Sequence, residues 1–339
     1  MQEKVLIDTA REIVASGKGI LAADESTGTM TKRLASVGVD STEASRQSFR
    51  NLLFTTEGAE AFIGGVIMYE ETLYQKADDG TPFPQLLAGK GMVPGIKVDK
   101  GAKPLAGSPE EKVTEGLDGL RERLAEYGEA GARFAKWRGV IDISDTQPSD
   151  YCIHVNAHAL ARYAALCQEA NIVPIVEPEV LMDGAHDIAR CESVTDAVLH
   201  ATFAELEQQR VLLEGMLLKP NMVISGKQCP QQASVDEVAE ATLRCLRRHV
   251  PAAVPGIVFL SGGQSDELAT AHLDAMNRRG PQPWTLSFSY GRALQAPALA
   301  AWQGEAANAT AAQAAYYKRA KCNGAAARGE YTQAMEEAA

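Results

Sequence analysis

The sequence lacks the patterns that mark membrane, secreted and nucleic-acid-binding proteins. It has no apolar run of about 18 residues, and its start, MQEKVLIDTAREIVASGKGI, has no apolar segment typical of a signal peptide. Basic residues are in deficit: 33 stand against 44 acidic residues, for a net charge of −11. That balance argues against nucleic acid or an anionic membrane as a partner. We therefore predict a cytoplasmic protein.

Cysteine pairs and a dinucleotide motif are also missing. The six cysteines are scattered without a C-x-x-C pair or a repeated spacing: Cys152, Cys167, Cys191, Cys229, Cys245 and Cys322. We interpret them as reduced thiols of an intracellular protein, so neither a disulfide framework nor a cysteine zinc site is expected. No G-x-G-x-x-G follows the first predicted strand, which weakens a dinucleotide-binding interpretation.

What the sequence does contain is a series of short apolar or β-branched runs. Eight of them recur, at residues 19–25, 63–70, 95–100, 134–143, 172–179, 216–223, 256–263 and 285–292. Continuous apolar runs of this length are typical of parallel strands that are covered on both faces. Helix-like segments lie between most of them, and no linker divides the chain. The pattern predicts a single α/β domain, a (β/α)₈ TIM barrel, with a doubly wound open sheet as the alternative.

The segments between these runs give more local predictions. Residues 108–132 open with Ser and Pro and close at Gly131, which predicts one helix. Residues 232–250 carry a serine before an amphipathic run and predict another helix. Residues 72–91 are rich in turn-forming residues and predict a long loop.

The end of the chain is rich in alanine. We predict a final helix near residues 303–320, which completes a catalytic barrel domain of residues 1–320. Residues 321–339 are then a C-terminal tail, which we predict to be mobile.

Polar side chains recur at the carboxyl ends of the predicted strands, where barrels carry their chemistry. Seven of the eight strands contribute: Asp24 and Glu25; Lys97 and Asp99; Lys136 and Arg138; Glu177 and Glu179; Lys219; Ser261, Gly262 and Gly263; and Ser289, Gly291 and Arg292. Residues i and i+2 share a face of a strand, so Lys136 points with Arg138 and Glu177 with Glu179. If those faces are inward, cations and carboxylates converge on one space.

Taken one at a time, these residues have simpler explanations. A lysine at a strand end often extends to solvent, and two neighbouring glutamates can serve an ordinary salt bridge. The S-G-G-Q and S-Y-G-R segments can be plain turns, and Asp24 can cap the helix that follows it. A common site is favoured because seven strands place such groups at the same end.

Lys219 is the central candidate because it ends a buried apolar run. A lysine amine becomes a nucleophile when burial or nearby cations lower its pKa, and Lys97, Lys136 and Arg138 are the cations that a barrel would bring near. Glu177 is suited to move the protons that imine formation requires. Glycine-rich loops after strands seven and eight offer N–H groups to one phosphate, and cations across the barrel offer a second site. The residues predict a Schiff-base enzyme for a small, doubly phosphorylated carbonyl compound.

Eight stretches of the sequence, in order and spacing, resemble class I fructose-bisphosphate aldolase. They are GKGILAADESTG, ETLYQKADDGTPFPQ, GIKVDKG, FAKWR, IVPIVEPE, LLKPNMV, FLSGGQS and SFSYGRALQ, and the resemblance runs from about Gly17 to Tyr331. It implies an aldehyde-lyase that reversibly cleaves fructose 1,6-bisphosphate to dihydroxyacetone phosphate and glyceraldehyde 3-phosphate in glycolysis and gluconeogenesis. It also implies that no metal or other cofactor is needed, and that the protein is a homo-oligomer, commonly a tetramer in this family.

The resemblance implies a role for each matching catalytic residue. Lys219 would form the iminium with the ketose carbonyl, and Asp24 would take the proton from the hydroxyl on C4. Glu177 would act as acid and base during Schiff-base formation and hydrolysis. Glu179 and Lys136 would tune the site.

The implied substrate contacts form two groups. Ser261, Gly262, Gly263, Ser289, Gly291 and Arg292 would hold the phosphate on C1, and Ser26, Arg33, Lys97 and Arg138 would contact the phosphate on C6, with Arg46 as a further member.

Two departures from the family pattern are visible. Animal members end in a tyrosine that helps to protonate the enamine and favours the bisphosphate, whereas this chain ends EYTQAMEEAA. Tyr331 would have to reach inward to replace that tyrosine. Thr29 stands where serine is common and keeps the hydroxyl. The preference between fructose 1,6-bisphosphate and fructose 1-phosphate is therefore open.

Other functions remain as alternatives. A metal-dependent aldolase would polarise the carbonyl with zinc, and its best local ligands are His154 and His158, although no third ligand is near in the sequence. A pyridoxal-phosphate enzyme would use its lysine to hold the cofactor. Another Schiff-base aldolase or lyase would act on a sugar such as fructose 1-phosphate, and a catalytically silent barrel would serve as a scaffold.

Overall fold

A computed structural model describes residues 1–337, and a closed barrel of eight parallel strands forms its centre. The barrel strands are β1 Gly19–Ala23, β2 Ile63–Met68, β3 Val93–Lys97, β6 Phe134–Ile141, β7 Val173–Val180, β8 Leu217–Leu218, β9 Gly256–Phe259 and β10 Thr285–Tyr290. Strands β4 Ala102–Leu105 and β5 Ser108–Thr114 form an antiparallel hairpin between β3 and β6. The predicted (β/α)₈ barrel is confirmed, and each predicted run overlaps one barrel strand.

Helices surround this barrel. Their bounds are α1 Glu3–Ile13, α2 Thr27–Ala35, α3 Glu43–Thr55, α4 Glu70–Leu73, α5 Phe83–Gly89, α6 Leu120–Glu129, α7 Asp150–Glu169, α8 Ile188–Gln208, α9 Val235–His249, α10 Asp266–Asn277, α11 Arg292–Trp302, α12 Ala309–Ala326 and α13 Ala334–Glu337. Within residues 1–337, no helix combines the length and the apolar character that a bilayer span requires.

The barrel interior and α1 together determine which end of the barrel is open. Inside the barrel, Ile20, Phe134 and Ile175 belong to a buried cluster that also contains Leu6 and Ile13 of α1. The apolar face of α1 therefore covers the amino-terminal end of the strands. The opposite, carboxyl-terminal end is left open, and polar residues near the strand ends or just after them line the cavity there.

The single helix predicted over residues 108–132 is wrong. Its first part is strand β5, and the helix α6 begins only at Leu120. Tertiary contacts explain the difference: Val113 packs against a buried cluster with Leu105, and the buried carboxylate of Glu111 accepts hydrogen bonds from the backbone N–H and the hydroxyl of Ser149, both at 2.7 Å. Packing against α7 thus overrides the local helix signal.

The long loop predicted over residues 72–91 is also wrong in part. It contains the end of α4 and the whole of α5. Phe83 at the start of α5 is buried and meets Phe54 edge-on, with ring centroids 5.0 Å apart. Pro84 lies in the first turn, where its missing N–H costs no helical hydrogen bond.

Of the two other predicted helices, one lies where it was predicted and one lies later in the chain. The helix predicted over residues 232–250 is confirmed as α9, which begins after Ser234 with a capping box to Glu237. The last long helix, α12, lies later than predicted and runs to Ala326.

The described part of the tail packs against the barrel helices. Tyr331 is buried: its N–H donates to Asp274 at 2.9 Å, and its hydroxyl donates to Glu336 at 2.9 Å. Glu336 in turn pairs with the buried Arg319 of α12 at 2.5 Å. Tyr331 is therefore bonded outside the barrel end and does not reach inward. The mobility of residues 321–339 stays a prediction.

Candidate active site

The carboxyl ends of the barrel strands surround a cavity of about 830 Å³. The residues that sequence reasoning assigned to the site line this cavity, with the exception of Arg46: Asp24, Ser26, Arg33, Lys97, Lys136, Arg138, Glu177, Glu179, Lys219, Ser261, Gly262, Gly263, Ser289, Gly291 and Arg292. Thr29, the position of the serine-to-threonine departure, also lines it.

Lys219 lies at the floor of the cavity because of how its short strand ends. Its backbone N–H donates to the carbonyl of Val176 at 2.8 Å, which continues the parallel pairing of β8 with β7 by one residue. Pro220 follows and has no N–H to extend that pairing. The Lys219 side chain is only 5% exposed, and its Nζ lies 3.1 Å from Oε1 of Glu177.

Four groups of alternating charge cross the cavity floor; three of them are buried, and the side chain of Asp24 is 12% exposed. Glu177 lies between two amines: its Oε1 faces Lys219, and its Oε2 lies 3.2 Å from Nζ of Lys136. Lys136 also contacts Oδ2 of Asp24 at 2.7 Å. We call Lys219, Glu177, Lys136 and Asp24 the lysine–carboxylate chain. Two cations and two anions in alternation satisfy each other's charge, which a buried ion requires.

The charges of this chain shift the pKa of three of its members. Burial alone would raise the pKa of Asp24, but the ammonium groups of Lys136 and Lys219 outweigh it and hold that pKa well below its usual range. Burial would likewise raise the pKa of Glu177, yet the same two lysines lower it. Burial would lower the pKa of Lys136, but Asp24 and Glu177 raise it above the usual lysine value. Both carboxylates and Lys136 are thus charged at neutral pH.

A second set of cations around the cavity is paired with carboxylates. Arg138 binds Glu179 through its Nε, Lys97 contacts Asp99 at 2.5 Å, and Arg33 contacts Glu25 at 2.5 Å. The carboxylate of Glu179 is thus paired with Arg138 and not with a lysine of the lysine–carboxylate chain. The side chains of Arg33 and Arg138 remain partly exposed to the cavity, 25% and 41% respectively. Their remaining N–H groups are available to an anion.

The loop Ser261–Gly263 follows β9 and is held by a network that sequence reasoning missed. The amide of Gln264 donates to the carbonyl of Ser261 at 2.9 Å, and Nδ1 of the buried His272 lies 2.5 Å from the Gln264 carbonyl oxygen. Because that oxygen only accepts, the ring nitrogen must be the donor. Burial lowers the pKa of His272 to about 4, so the ring is neutral at physiological pH. His272 lies on the buried face of α10, and no sequence pattern marks it.

The conformation of this loop suits an anion. Gly262 and Gly263 have φ values of 57° and 84°, a region that favours glycine. Successive residues of this kind turn their backbone N–H groups toward one concave side, where an anion can bind.

The neighbouring strand completes this side of the cavity. Ser289 is the last residue but one of β10, and its buried hydroxyl has no hydrogen-bond partner among residues 1–337. Gly291 follows and precedes α11, whose amino terminus adds unpaired N–H groups. Arg292 lines the cavity and, unlike Arg33 and Arg138, has no carboxylate partner within the described chain. A glycine loop, a free hydroxyl, a helix amino terminus and an unpaired cation therefore meet at one place.

Arg46 is placed elsewhere. On α3, its guanidinium donates to both carboxylate oxygens of Glu71, at 2.8 and 2.5 Å, and to the hydroxyl of Ser41. The hydrogen bond to Glu71 raises the pKa of Arg46. Arg50, one turn later and fully buried, donates instead to the carbonyls of Ala23 and Glu25 and so fixes the end of β1.

The histidine pair lies in the outer helical layer. His154 and His158 both face Glu205 of α8, with Nδ1–carboxylate distances of 3.4 and 2.9 Å. Neither histidine lines the cavity. Sequence spacing placed them on one helix face, which is what the structure has, but that face is turned away from the strand ends.

Comparison with known protein families and structures gives a consistent result. Residues 5–339 match the family model described as "Glycolytic: Fructose-bisphosphate aldolase class-I". A relative from Xanthomonas campestris pv. campestris named "Probable fructose-bisphosphate aldolase class 1" is 57% identical over 98% of this chain and 99% of its own. The "Fructose-bisphosphate aldolase C" of Carassius auratus is also 57% identical, over 97% of this chain and 92% of its own.

A solved structure agrees in fold. Fructose-bisphosphate aldolase from Plasmodium falciparum, in complex with TRAP and a small-molecule inhibitor, superimposes with a TM-score of 0.96. It is 50% identical to this chain, and the match covers 97% of this chain and 95% of that one.

Proposed function

The chain belongs to the class I fructose-bisphosphate aldolase family, and from this premise we propose that Lys219 is the residue that forms the Schiff base with the substrate. The activity is the reversible cleavage of fructose 1,6-bisphosphate to dihydroxyacetone phosphate and glyceraldehyde 3-phosphate. The observation that carries the assignment is the position of the Lys219 amine, buried on the cavity floor and 3.1 Å from the carboxylate of Glu177.

Schiff-base formation requires the amine to attack the ketose carbonyl at C2 and then requires loss of water. Glu177 is the proton carrier for both steps, because its carboxylate contacts Lys219 on one oxygen and Lys136 on the other. Starting from the ammonium form of Lys219, it carries two protons in turn away from the lysine nitrogen: the first frees the amine and passes to the carbonyl oxygen as the carbinolamine forms, and the second passes to the hydroxyl that leaves as water. Two carboxylates keep Lys136 protonated, and its ammonium group stabilises the negative charge of Glu177 after that residue has released its proton.

Carbon–carbon cleavage then uses Asp24. The ionised carboxylate accepts the proton of the C4 hydroxyl, the C3–C4 bond breaks, and its electrons move to the iminium to give an enamine on Lys219. Glyceraldehyde 3-phosphate leaves with the new carbonyl at C4. The lowered pKa of Asp24 keeps it ionised and ready to accept this proton at neutral pH. C3 of the enamine is then protonated, and hydrolysis releases dihydroxyacetone phosphate.

The two phosphates occupy opposite sides of the cavity in this proposal. The C1 phosphate binds the Ser261–Gly263 loop, Ser289, Gly291 and Arg292, and the C6 phosphate binds near Ser26, Arg33, Lys97 and Arg138. The support is the distribution of donors described above. Arg46 is not included, since Glu71 occupies its guanidinium.

Two arginine variants test this arrangement. Arg292→Ala is expected to raise KM about 10- to 100-fold for both fructose 1,6-bisphosphate and fructose 1-phosphate, because a charge-assisted hydrogen bond contributes roughly 1.5–3 kcal/mol. Arg33→Ala is expected to raise KM for the bisphosphate alone, since the monophosphate has no C6 phosphate. Steady-state kinetics with both substrates measures the two values. An Arg292 effect confined to kcat, or an equal Arg33 effect on both substrates, would contradict the assignment.

We also propose that the protein is a cytoplasmic homo-oligomer, and specifically a homotetramer. Support for the oligomer is the family resemblance, and support for the compartment is that all six cysteines are buried free thiols. Sedimentation equilibrium on the purified protein should give a mass near four times 36.2 kDa. A monomer mass at micromolar concentration would contradict the proposal.

A further inference from the structure

Lys227 lies beside the glycine loop, outside the set of residues that sequence reasoning assigned to the site. It lines the same cavity. A Cβ atom on Gly263 would lie 2.8 Å from Nζ of Lys227 and 3.0 Å from Nη2 of Arg292. Both cationic groups therefore approach the same side of this loop. Arg292 is the cation already placed at the C1 phosphate, so its neighbour Lys227 reaches the same position.

Backbone hydrogen bonds hold residues 226–228 in place, so the position of the Lys227 Cα atom is well defined. The N–H of Lys227 donates to the carbonyl of Met182 at 2.8 Å. The N–H groups of its neighbours Gly226 and Gln228 donate to His186 and Gly184, at 2.8 and 2.9 Å. These bonds tie residues 226–228 to the loop that follows β7. Lys227 therefore lies in a turn that three backbone hydrogen bonds stabilise.

Asp183 is the present partner of Lys227. Its Oδ1 lies 3.0 Å from the lysine Nζ, but the two side chains are 66% and 42% exposed. An ion pair this exposed contributes about 0–1 kcal/mol. A phosphate dianion seated on the glycine loop offers more charge and more acceptor oxygens than one carboxylate, so it competes well for the same ammonium group.

We propose that Lys227 is a further substrate-binding residue, which joins Arg292 at the C1 phosphate and exchanges Asp183 for that phosphate when substrate binds. The proposal rests on the proposed function, which places the C1 phosphate at the Ser261–Gly263 loop. It predicts that Asp183 weakens substrate binding by holding the lysine away. Because both ketose phosphates carry a C1 phosphate, Lys227 strengthens the binding of both without changing their ratio.

A mutant cycle on Lys227 and Asp183 tests this exchange. Lys227→Met is expected to raise KM for fructose 1,6-bisphosphate and fructose 1-phosphate by the same factor, about 3- to 10-fold, with kcat little changed. Asp183→Asn is expected to lower KM about twofold, because it frees the lysine. The double variant should behave like Lys227→Met alone, since Asp183 acts only through the lysine. The Ki of inorganic phosphate as a competitive inhibitor should follow the same pattern.

A second, partly exposed lysine–aspartate pair provides the matched control. Lys112 and Asp142 lie 2.8 Å apart, the lysine side chain is also 42% exposed, and neither residue lines the cavity. Lys112→Met and Asp142→Asn make the same changes in net charge and should leave KM unchanged. If Lys112→Met raises KM as much as Lys227→Met does, the change in net charge explains the rise, and the proposal is overturned.

The remaining outcomes separate the inference from the proposed function. If Lys227→Met leaves KM unchanged while Arg292→Ala raises it, the role of Lys227 is overturned and the phosphate site stands. If neither variant changes KM, the location of the C1 phosphate itself is wrong. If Asp183→Asn raises KM to the same extent with and without Lys227, Asp183 supports the loop structurally, and the exchange is overturned.

Discussion

Replacement of Lys219 by alanine is expected to lower the rate of fructose 1,6-bisphosphate cleavage by roughly 10⁴-fold or more, as loss of a covalent nucleophile does in other enzymes. Without the amine no iminium forms, so nothing in the cavity accepts the electrons of the breaking C3–C4 bond. Glu177 would also lose one of its two lysine contacts, but Lys136 remains at 3.2 Å to hold its charge. A coupled assay for triose phosphate measures the rate.

Lys219→Arg separates the nucleophile from the charge. Arginine keeps a cation beside Glu177 but cannot form an imine at physiological pH, because its pKa exceeds about 12. We expect it to be as inactive as the alanine variant. Lys112→Ala, which removes a lysine outside the cavity, serves as the control and should retain activity. Substantial cleavage by Lys219→Arg would show that the position supplies charge and not a covalent bond.

Replacement of Asp24 by asparagine is expected to give the second largest loss, about 10²- to 10⁴-fold in kcat, the range typical of a missing general base. Asparagine has a similar shape but cannot accept the proton of the C4 hydroxyl. Substrate should still bind and still form the Schiff base, because the Lys219–Glu177 contact does not involve Asp24. The variant should therefore accumulate imine without cleaving it.

Two measurements on Asp24→Asn distinguish this role from a structural one. Borohydride in the presence of dihydroxyacetone phosphate should still trap Lys219, while cleavage of the bisphosphate is nearly lost. Asp142→Asn removes a carboxylate outside the cavity and should change neither reaction. Loss of trapping and cleavage together in Asp24→Asn would indicate that Asp24 acts by holding Lys136 in place and not as the base.

Sequence reasoning predicted most of the residues that line the cavity, because parallel barrels follow a simple rule. Their strands are buried on both faces, so each reads as an apolar run, and the first polar residues after the run mark the reactive end. Lys219 and Glu177, which lie in or at the end of such runs, were predicted in this way, and both line the cavity. The prediction needed no distances, because closure of the barrel brings all carboxyl ends of the strands together.

What sequence reasoning missed depends on contacts between distant segments. Strand β5 was predicted as helix because the burial of Glu111 against Ser149 has no local signature. Lys227 lies in a turn after the sixth barrel strand, where no periodicity marks it. Arg46 was assigned to the cavity only because the resemblance to the aldolase family implied it. Its guanidinium is in fact bonded to Glu71, a residue 25 positions away in the chain.

The sequence also predicted the cationic residues around the cavity without predicting which carboxylates they contact. Lys97, Arg33 and Arg138 each contact a carboxylate, whereas Arg292 has none within the described residues. An arginine without a carboxylate partner is the stronger candidate for a tight phosphate contact, because it does not have to give up an ion pair when substrate binds. This difference in pairing is a property of the folded chain and cannot be read from the strand pattern.

Borohydride reduction of the native protein in the presence of fructose 1,6-bisphosphate, followed by peptide mapping, tests the central claim most directly. Reduction converts the iminium into a stable secondary amine, so the mass of one peptide should increase by the reduced triose or hexose phosphate. We predict a single labelled peptide that contains EGMLLKPNMV, with the label on Lys219. A label on Lys136 or any other lysine, or the absence of a label while cleavage continues, would contradict the assignment of Lys219.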